Sequence, residues 1–207
     1  MNWPVAADKK SINHAAGLLR AGGVVAFPTE TYYGLAVDPF NSHALERLFR
    51  VKRRPRQLPI LVLVGKGSQL ALFTNNVPSL YHHLMDCFWP GPLTLIFQAL
   101  PTLPRQLTGQ TGTVGIRYSP HSVANTLIQA FGGPVTATSA NITGFPAATS
   151  AEDVARMFDE NIDLILDGGL TPGGKGSTLV GMKQDRLVCI RDGQIEFSRV
   201  QQCAIQL

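Results

Sequence analysis

The run Val24-Val25-Ala26-Phe27-Pro28-Thr29-Glu30-Thr31-Tyr32-Tyr33-Gly34-Leu35 passes from a continuous apolar stretch into hydroxyls, a carboxylate and two phenols. Its apolar half, Gly23 to Phe27, reads as a strand covered on both faces. Pro28 has no N–H to give a ladder and stops it. A polar cluster at a strand end can hold a small polar molecule, and an ordinary turn has the same composition. About twenty residues on, Lys52-Arg53-Arg54-Pro55-Arg56 puts four cations in five residues. Lys offers a compact point charge and Arg a planar fork that grips two oxygens, so the run suits an anion. A solvated face or an RNA-contacting patch would look alike.

Working outward, apolar runs alternate with helical periodicity. Ile12 to Leu19 predicts a helix stopped by Gly22-Gly23, and Ala44, Leu45, Leu48 and Phe49 predict a second that ends at the basic run. Pro59 to Val64, Leu93 to Phe97, Val114 to Tyr118, Val135 to Thr138, Ile162 to Leu166, Ser177 to Val180 and Leu187 to Ile190 read as strands. Ser79 to Phe88 and Ser122 to Phe131 read as helices. Ser150 and Asp153 form a capping box with Asp in place of Glu. The pattern predicts an α/β class, one domain over residues 1–207, with a twisted mixed β-sheet and helices packed on it.

The chain has 207 residues, 44% of them hydrophobic and 15% charged, enough for a full core. The net charge of +4 suits phosphates or RNA without demanding either. Cys87, Cys189 and Cys203 are odd in number and far apart, which argues for a reducing compartment and against a disulfide scaffold. The five histidines show no metal-ligand spacing. No leader pattern opens the chain and no apolar run is long enough to span a bilayer, so a cytoplasmic protein without a membrane partner is expected.

Gly169 to Lys175 fits the start of a phosphate-binding P-loop. However, Gly176 stands where a magnesium-binding hydroxyl belongs, and a strand follows where a helix should. That leaves a flexible Gly-rich loop with Lys175 exposed. Thr136 to Gly144 ends a strand in hydroxyls and an amide that suit a nucleotide or a turn. In Val114-Gly115-Ile116-Arg117-Tyr118 a lone Arg at a strand end fits a salt bridge as well as a ligand.

The order of these segments is more telling than any one of them. PTETYYGL, KxRP, WPGPLT (Trp89 to Thr94), VGIR, TSANITG, GST (Gly176 to Thr178) and IRDG (Ile190 to Gly193) together resemble the YrdC-type threonylcarbamoyl-AMP synthase family, over residues about 10–195. The resemblance implies a YrdC/RibB-like fold in its short, single-domain form. It implies that L-threonine, bicarbonate and ATP become threonylcarbamoyl-AMP and pyrophosphate, for modification of tRNA by a separate transfer complex. Mg2+ would come with ATP, and no tightly bound prosthetic group or dedicated protein metal site is implied.

Position by position, the resemblance gives Lys52 and Arg54 the catalytic role on ATP and carbamate oxygens. It puts Thr113, Ser139, Asn141 and Arg191 at the nucleotide, and Thr31, Arg117 and Ser177 at threonine. The chain departs from longer members at Leu58, where they have Asn, and at Leu63, where they have a His near the threonine. A tRNA- or double-stranded-RNA-binding module on the same scaffold is the alternative, and a carbamoyl-adenylate enzyme with another acceptor is a third.

Overall fold

The computed structural model describes residues 4–205. Several of its helices start where a side chain satisfies free backbone N–H groups, and two stop at a residue in the left-handed region. Asp8 caps α1 (Lys9–Arg20) by accepting from the Ser11 N–H at 2.7 Å, and Ile12, Ala15, Ala16 and Leu19 form its buried stripe. Asn41 caps α2 (Ser42–Lys52), which ends at Arg53 in the left-handed region, φ 49°. α3 (Ser79–Phe88) and the short α4 (Arg105–Thr108) precede α5 (Ser122–Phe131), which stops at Gly132 with φ 85°. Ser150 and Asp153 form the expected capping box on α6 (Ala151–Phe158). A last helix, α7 (Phe197–Ile205), carried no clear signal in the sequence.

The strands form two mixed sheets rather than the one expected. The first is ordered β1 (Val5–Ala6), β9 (Leu164–Asp167), β2 (Val25–Pro28), β3 (Tyr33–Ala36), β8 (Thr138–Ser139). The second is ordered β11 (Arg186–Arg191), β10 (Thr178–Lys183), β5 (Leu93–Gln98), β6 (Thr113–Tyr118), β4 (Val62–Val64), β7 (Val135–Thr136). β2 and β3 are an antiparallel hairpin with Val25 opposite Ala36 and Pro28 opposite Tyr33. Thr29 to Tyr32 is therefore its turn, and the second half of the opening run is a strand.

The alternation along β2 explains why that run is apolar throughout. Val25 and Phe27 face a layer made by α1 and α5, whereas Val24 and Ala26 face the main core with residues of α2 and α6. The single β-branched run at Val135 to Thr138 is split. Its first two residues pair with β4 in one sheet, and Thr138 and Ser139 pair with β3 in the other. The fully buried Thr136 joins the sheets. Its Oγ1 accepts from Val37 N–H at 2.9 Å and donates to Leu35 O at 3.1 Å, while its own N–H donates to Val37 O at 3.0 Å.

A disulfide joins Cys87 of α3 to Cys203 of α7, against the expectation from cysteine count, and leaves Cys189 free. At a sequence separation of 116, the pair has no signature in the sequence. Among the described residues no helix is long and apolar enough to cross a membrane.

Thr136→Val keeps the shape and β-branching but strands the buried Val37 N–H. An unmade bond to a buried donor costs about 1–3 kcal/mol. Urea denaturation should show a loss of that size with an unchanged m-value, and wild-type stability would mean the sheets do not depend on this joint.

Candidate active site

The two sheets enclose a cavity of about 610 Å³, within the range of small-molecule sites. Thr31, Arg54, Thr113, Arg117, Ser139, Asn141, Ser177 and Arg191 all line it. These residues come from the β2–β3 turn, the segment after α2, β6, β8 and the segment after it, the loop before β10, and the end of β11. Eight of the nine residues singled out in the sequence thus converge on one space.

Lys52 is the exception. It sits behind the wall, 1% exposed, and its Nζ donates to Ser139 O, to Asn141 O at 2.7 Å and to Asn141 Oδ1 at 3.5 Å. Its own carbonyl accepts from Thr143 N–H at 2.9 Å. Lys52 therefore builds the turn that presents Ser139 and Asn141, where Ser139 Oγ donates to Asn141 Oδ1 at 2.6 Å and Asn141 Nδ2 to Phe145 O at 2.8 Å.

The other cations of the basic run divide. Arg54 turns inward and is anchored by Nη2 on Pro59 O at 2.9 Å, with a buried Nε that has no partner. Arg53 is exposed, and Arg56 pairs with Glu46 on the surface.

Arg117 is 4% exposed and makes the salt bridge that its strand-end position allowed, to Glu30 of the turn. It still faces the cavity, with Nη1 3.4 Å from Thr31 Oγ1 and a buried Nε without a partner. Glu30 also accepts from Ser119 Oγ. Sequence reading gave Glu30 no role, although it lies between two threonines of the motif.

At the other end Arg191 wraps Ser177, donating from Nη2 to its carbonyl at 2.8 Å and to its Oγ at 3.2 Å. Ser177 Oγ lies 2.8 Å from Thr94 Oγ1, a second partner the sequence did not flag. Gly193 makes this fit. A Cβ there would lie 2.4 Å from both Gly176 O and Thr178 N, so the end of β11 packs on the loop only without a side chain.

The cations act on one another. Burial and then Arg54 pull the Lys52 ammonium down to about 7. Burial, then Arg191, lowers Arg54, and burial lowers Arg117 against the pull of Glu30, with Arg191 adding to the lowering. Among the described residues, no Asp or Glu lines the cavity. Such an array is preorganised for a ligand with several negative charges.

The Gly-rich loop is pinned rather than free. Gly173 N–H donates to Thr31 O at 2.8 Å, Tyr32 OH to Gly174 O at 2.6 Å, and Thr171 N–H to Thr149 O at 2.9 Å. Lys175 is exposed and lies 3.5 Å from Asp192. Of the two departures, Leu58 lines the cavity rim, 44% exposed. Leu63 does not reach the wall. It pairs with Arg117 across β4 and β6 and is fully buried in the layer under α1 and α5.

Residues 17–193 match the Sua5/YciO/YrdC family model, described as telomere recombination, and the chain belongs to that family. It is 38% identical to the threonylcarbamoyl-AMP synthase of Pyrococcus abyssi over 94% of its own length and 57% of that relative. It is 41% identical to the synthase of Bacillus subtilis, over 92% of this chain and 55% of that one. The chain thus spans little more than half of these relatives. The crystal structure of P. abyssi Sua5 complexed with L-threonine superposes with a TM-score of 0.91 at 37% identity, covering 95% of this chain and 58% of that one.

Glu30→Gln should leave the buried Arg117 guanidinium without its counter-charge, a loss on the order of 3 kcal/mol. Adding Arg117→Met should recover part of it. Chemical denaturation of the three proteins checks this, and a double variant no more stable than Glu30→Gln alone would show that the charge pair is not the cause.

Proposed function

We propose that this chain is an L-threonylcarbamoyladenylate synthase, making threonylcarbamoyl-AMP and pyrophosphate from L-threonine, bicarbonate and ATP. The observation that carries this reading is the convergence of Arg54, Arg117 and Arg191 on one cavity with no lining carboxylate. The names of its relatives, and the threonine in the Sua5 complex, support the same reading.

Threonine's amine and bicarbonate give a carbamate, whose oxygen attacks the α-phosphorus of ATP as pyrophosphate leaves. The nucleophile is already anionic, so no general base is required. What the site must do is bring two anions together and offset the charge that builds between them. Arg54 and Arg191 are the groups we assign to ATP and carbamate oxygens, with Ser139, Asn141 and Thr113 on the nucleotide. Arg117, Thr31 and Ser177 are assigned to threonine. Lys52 acts from behind by holding the turn of Ser139 and Asn141. Mg2+ would arrive on the nucleotide's own phosphates, since the lining offers no carboxylate cage. The product would pass to a tRNA-modifying transfer step in the cytoplasm. A mixed anhydride is labile, and a cavity walled by both sheets suits its protection from water.

Pyrophosphate release with each amino acid in turn tests the reading. Threonine should be preferred. Serine, which lacks a methyl worth ~1–3 kcal/mol, should be a poor substrate, and valine a worse one for want of the hydroxyl. Arg54→Ala should lower turnover by roughly a hundredfold or more with the fold intact, while Arg53→Ala and Arg56→Ala stay near wild type. Salt-sensitive RNA binding without threonine-dependent pyrophosphate would instead favour the RNA module.

ATP binding should also take up protons. The Lys52 ammonium is held near 7 by burial first and by repulsion from Arg54 second, and phosphates beside Arg54 would raise it. Above pH 7 the bound form then holds more protons than the free one, so affinity should weaken as pH rises from 7 to 9. Calorimetry in two buffers of different ionisation enthalpy reads the uptake, and Lys52→Met should remove it. Buffer-independent heats in the wild type would overturn the coupling.

A further inference from the structure

Away from the cavity, α3 and α7 bring His83, Cys87 and Cys203 together. His83 and Cys87 are four residues apart on α3 and share a face. The His83 Nε2 lies 2.9 Å from Cys203 O and 4.0 Å from Cys87 Sγ. A carbonyl only accepts, so Nε2 carries the proton, and an N–H stands beside the sulfur. Cys87 is exposed, whereas Cys203 is 5% exposed and packs in the main core.

Two features separate this pair from a scaffold disulfide. Permanent cross-links serve small domains that lack a core, and this chain has a large one. The two sulfurs are also unequal in access. A small molecule can reach Cys87, and Cys203 can be reached only through Cys87. That is the arrangement of an attacking and a resolving cysteine, with an imidazole 4.0 Å from the attacking sulfur and within reach of its thiolate once the bond opens.

We propose that Cys87 and Cys203 form a reversible dithiol–disulfide site that exchanges with low-molecular-weight disulfides such as oxidised glutathione. The Cys87 thiolate attacks one sulfur of oxidised glutathione, forming a mixed disulfide and releasing one glutathione thiolate. Cys203 gives up its proton and attacks the Cys87 sulfur, releasing the second. The two protein thiols are oxidised, the glutathione disulfide is reduced, and the two protons end on the two glutathione molecules. The bond ties α7, and with it the end of the described chain, to α3. An excess of a reducing dithiol reverses it.

The test uses the full chain, reduced and desalted, then equilibrated with glutathione at graded ratios of oxidised to reduced form. Free thiols are alkylated and the peptides weighed. A single two-electron transition is expected, cross-linking the peptides of Cys87 and Cys203 and leaving Cys189 alkylated. Cys203→Ser should accumulate glutathione on Cys87, and His83→Gln should slow the first step. Reduction should lower the wild-type Tm by roughly 10 °C, since it opens a loop of 116 residues. Exchange of the α7 amides with solvent should quicken.

A wild-type chain that stays dithiol at every ratio would overturn the proposal, as would glutathione on Cys203 in place of Cys87. One equivalent of Zn2+ held by the reduced chain and blocking oxidation would also overturn it, making the three donors a metal site. The wild-type titration decides the matter even where a variant fails to fold.

Discussion

A lysine ammonium held in the interior by main-chain carbonyls is the constraint on which the rest of the site depends. A buried charge must be met by polar partners, and Lys52 finds them in the carbonyls of Ser139 and Asn141. Those acceptors belong to a segment 87 and 89 residues away, so the end of α2 and the turn after β8 fix each other. The Thr143 N–H closes the contact in the other direction by donating to Lys52 O. Next to it, Arg53 in the left-handed region turns the chain so that Arg54 enters the cavity. One helix terminus thus places a wall, a cation and the approach to the rim.

The second anchor is the Glu30–Arg117 pair. It lets a guanidinium stay charged while almost fully buried, yet leaves its Nε unpartnered. Arg191 has no such counter-ion among its described contacts and leans on the carbonyl of Ser177. The cavity is therefore lined by one cation with a counter-charge, Arg117, and by two, Arg54 and Arg191, that rest on main-chain carbonyls.

Much of this was legible in the sequence, and what was not has physical reasons. Apolar runs and caps located α1, α2, α3, α5 and α6 because those signals are local. Motif order singled out eight residues that do line the cavity. The inward anchoring of Lys52 was not legible because residue type gives a cation's charge and not the direction in which it points. β3 was hidden inside a cluster of polar and aromatic residues, and β7 and β8 looked like one strand because a change of sheet leaves no mark in four residues. The Cys87–Cys203 bond and the Glu30 pairing are contacts across 116 and 87 residues, which no local pattern encodes. Leu63 seemed a gap in the amino-acid pocket, but its side chain belongs to the layer under α1 and α5.

The pairing of β1 with β9, of β3 with β8 and of β5 with β10 has a consequence for synthesis on the ribosome. Val5 waits for Leu166, Gly34 for Ser139 and Leu93 for Thr178 before their strands have neighbours. Contacts so distant along the chain make folding slow, and they keep early segments from settling alone. The cavity closes only when Ser177 and Arg191 have emerged. A nascent chain therefore carries Thr31 and Arg54 without the partners that make them a binding site until the segment from Ser177 to Arg191 has followed them.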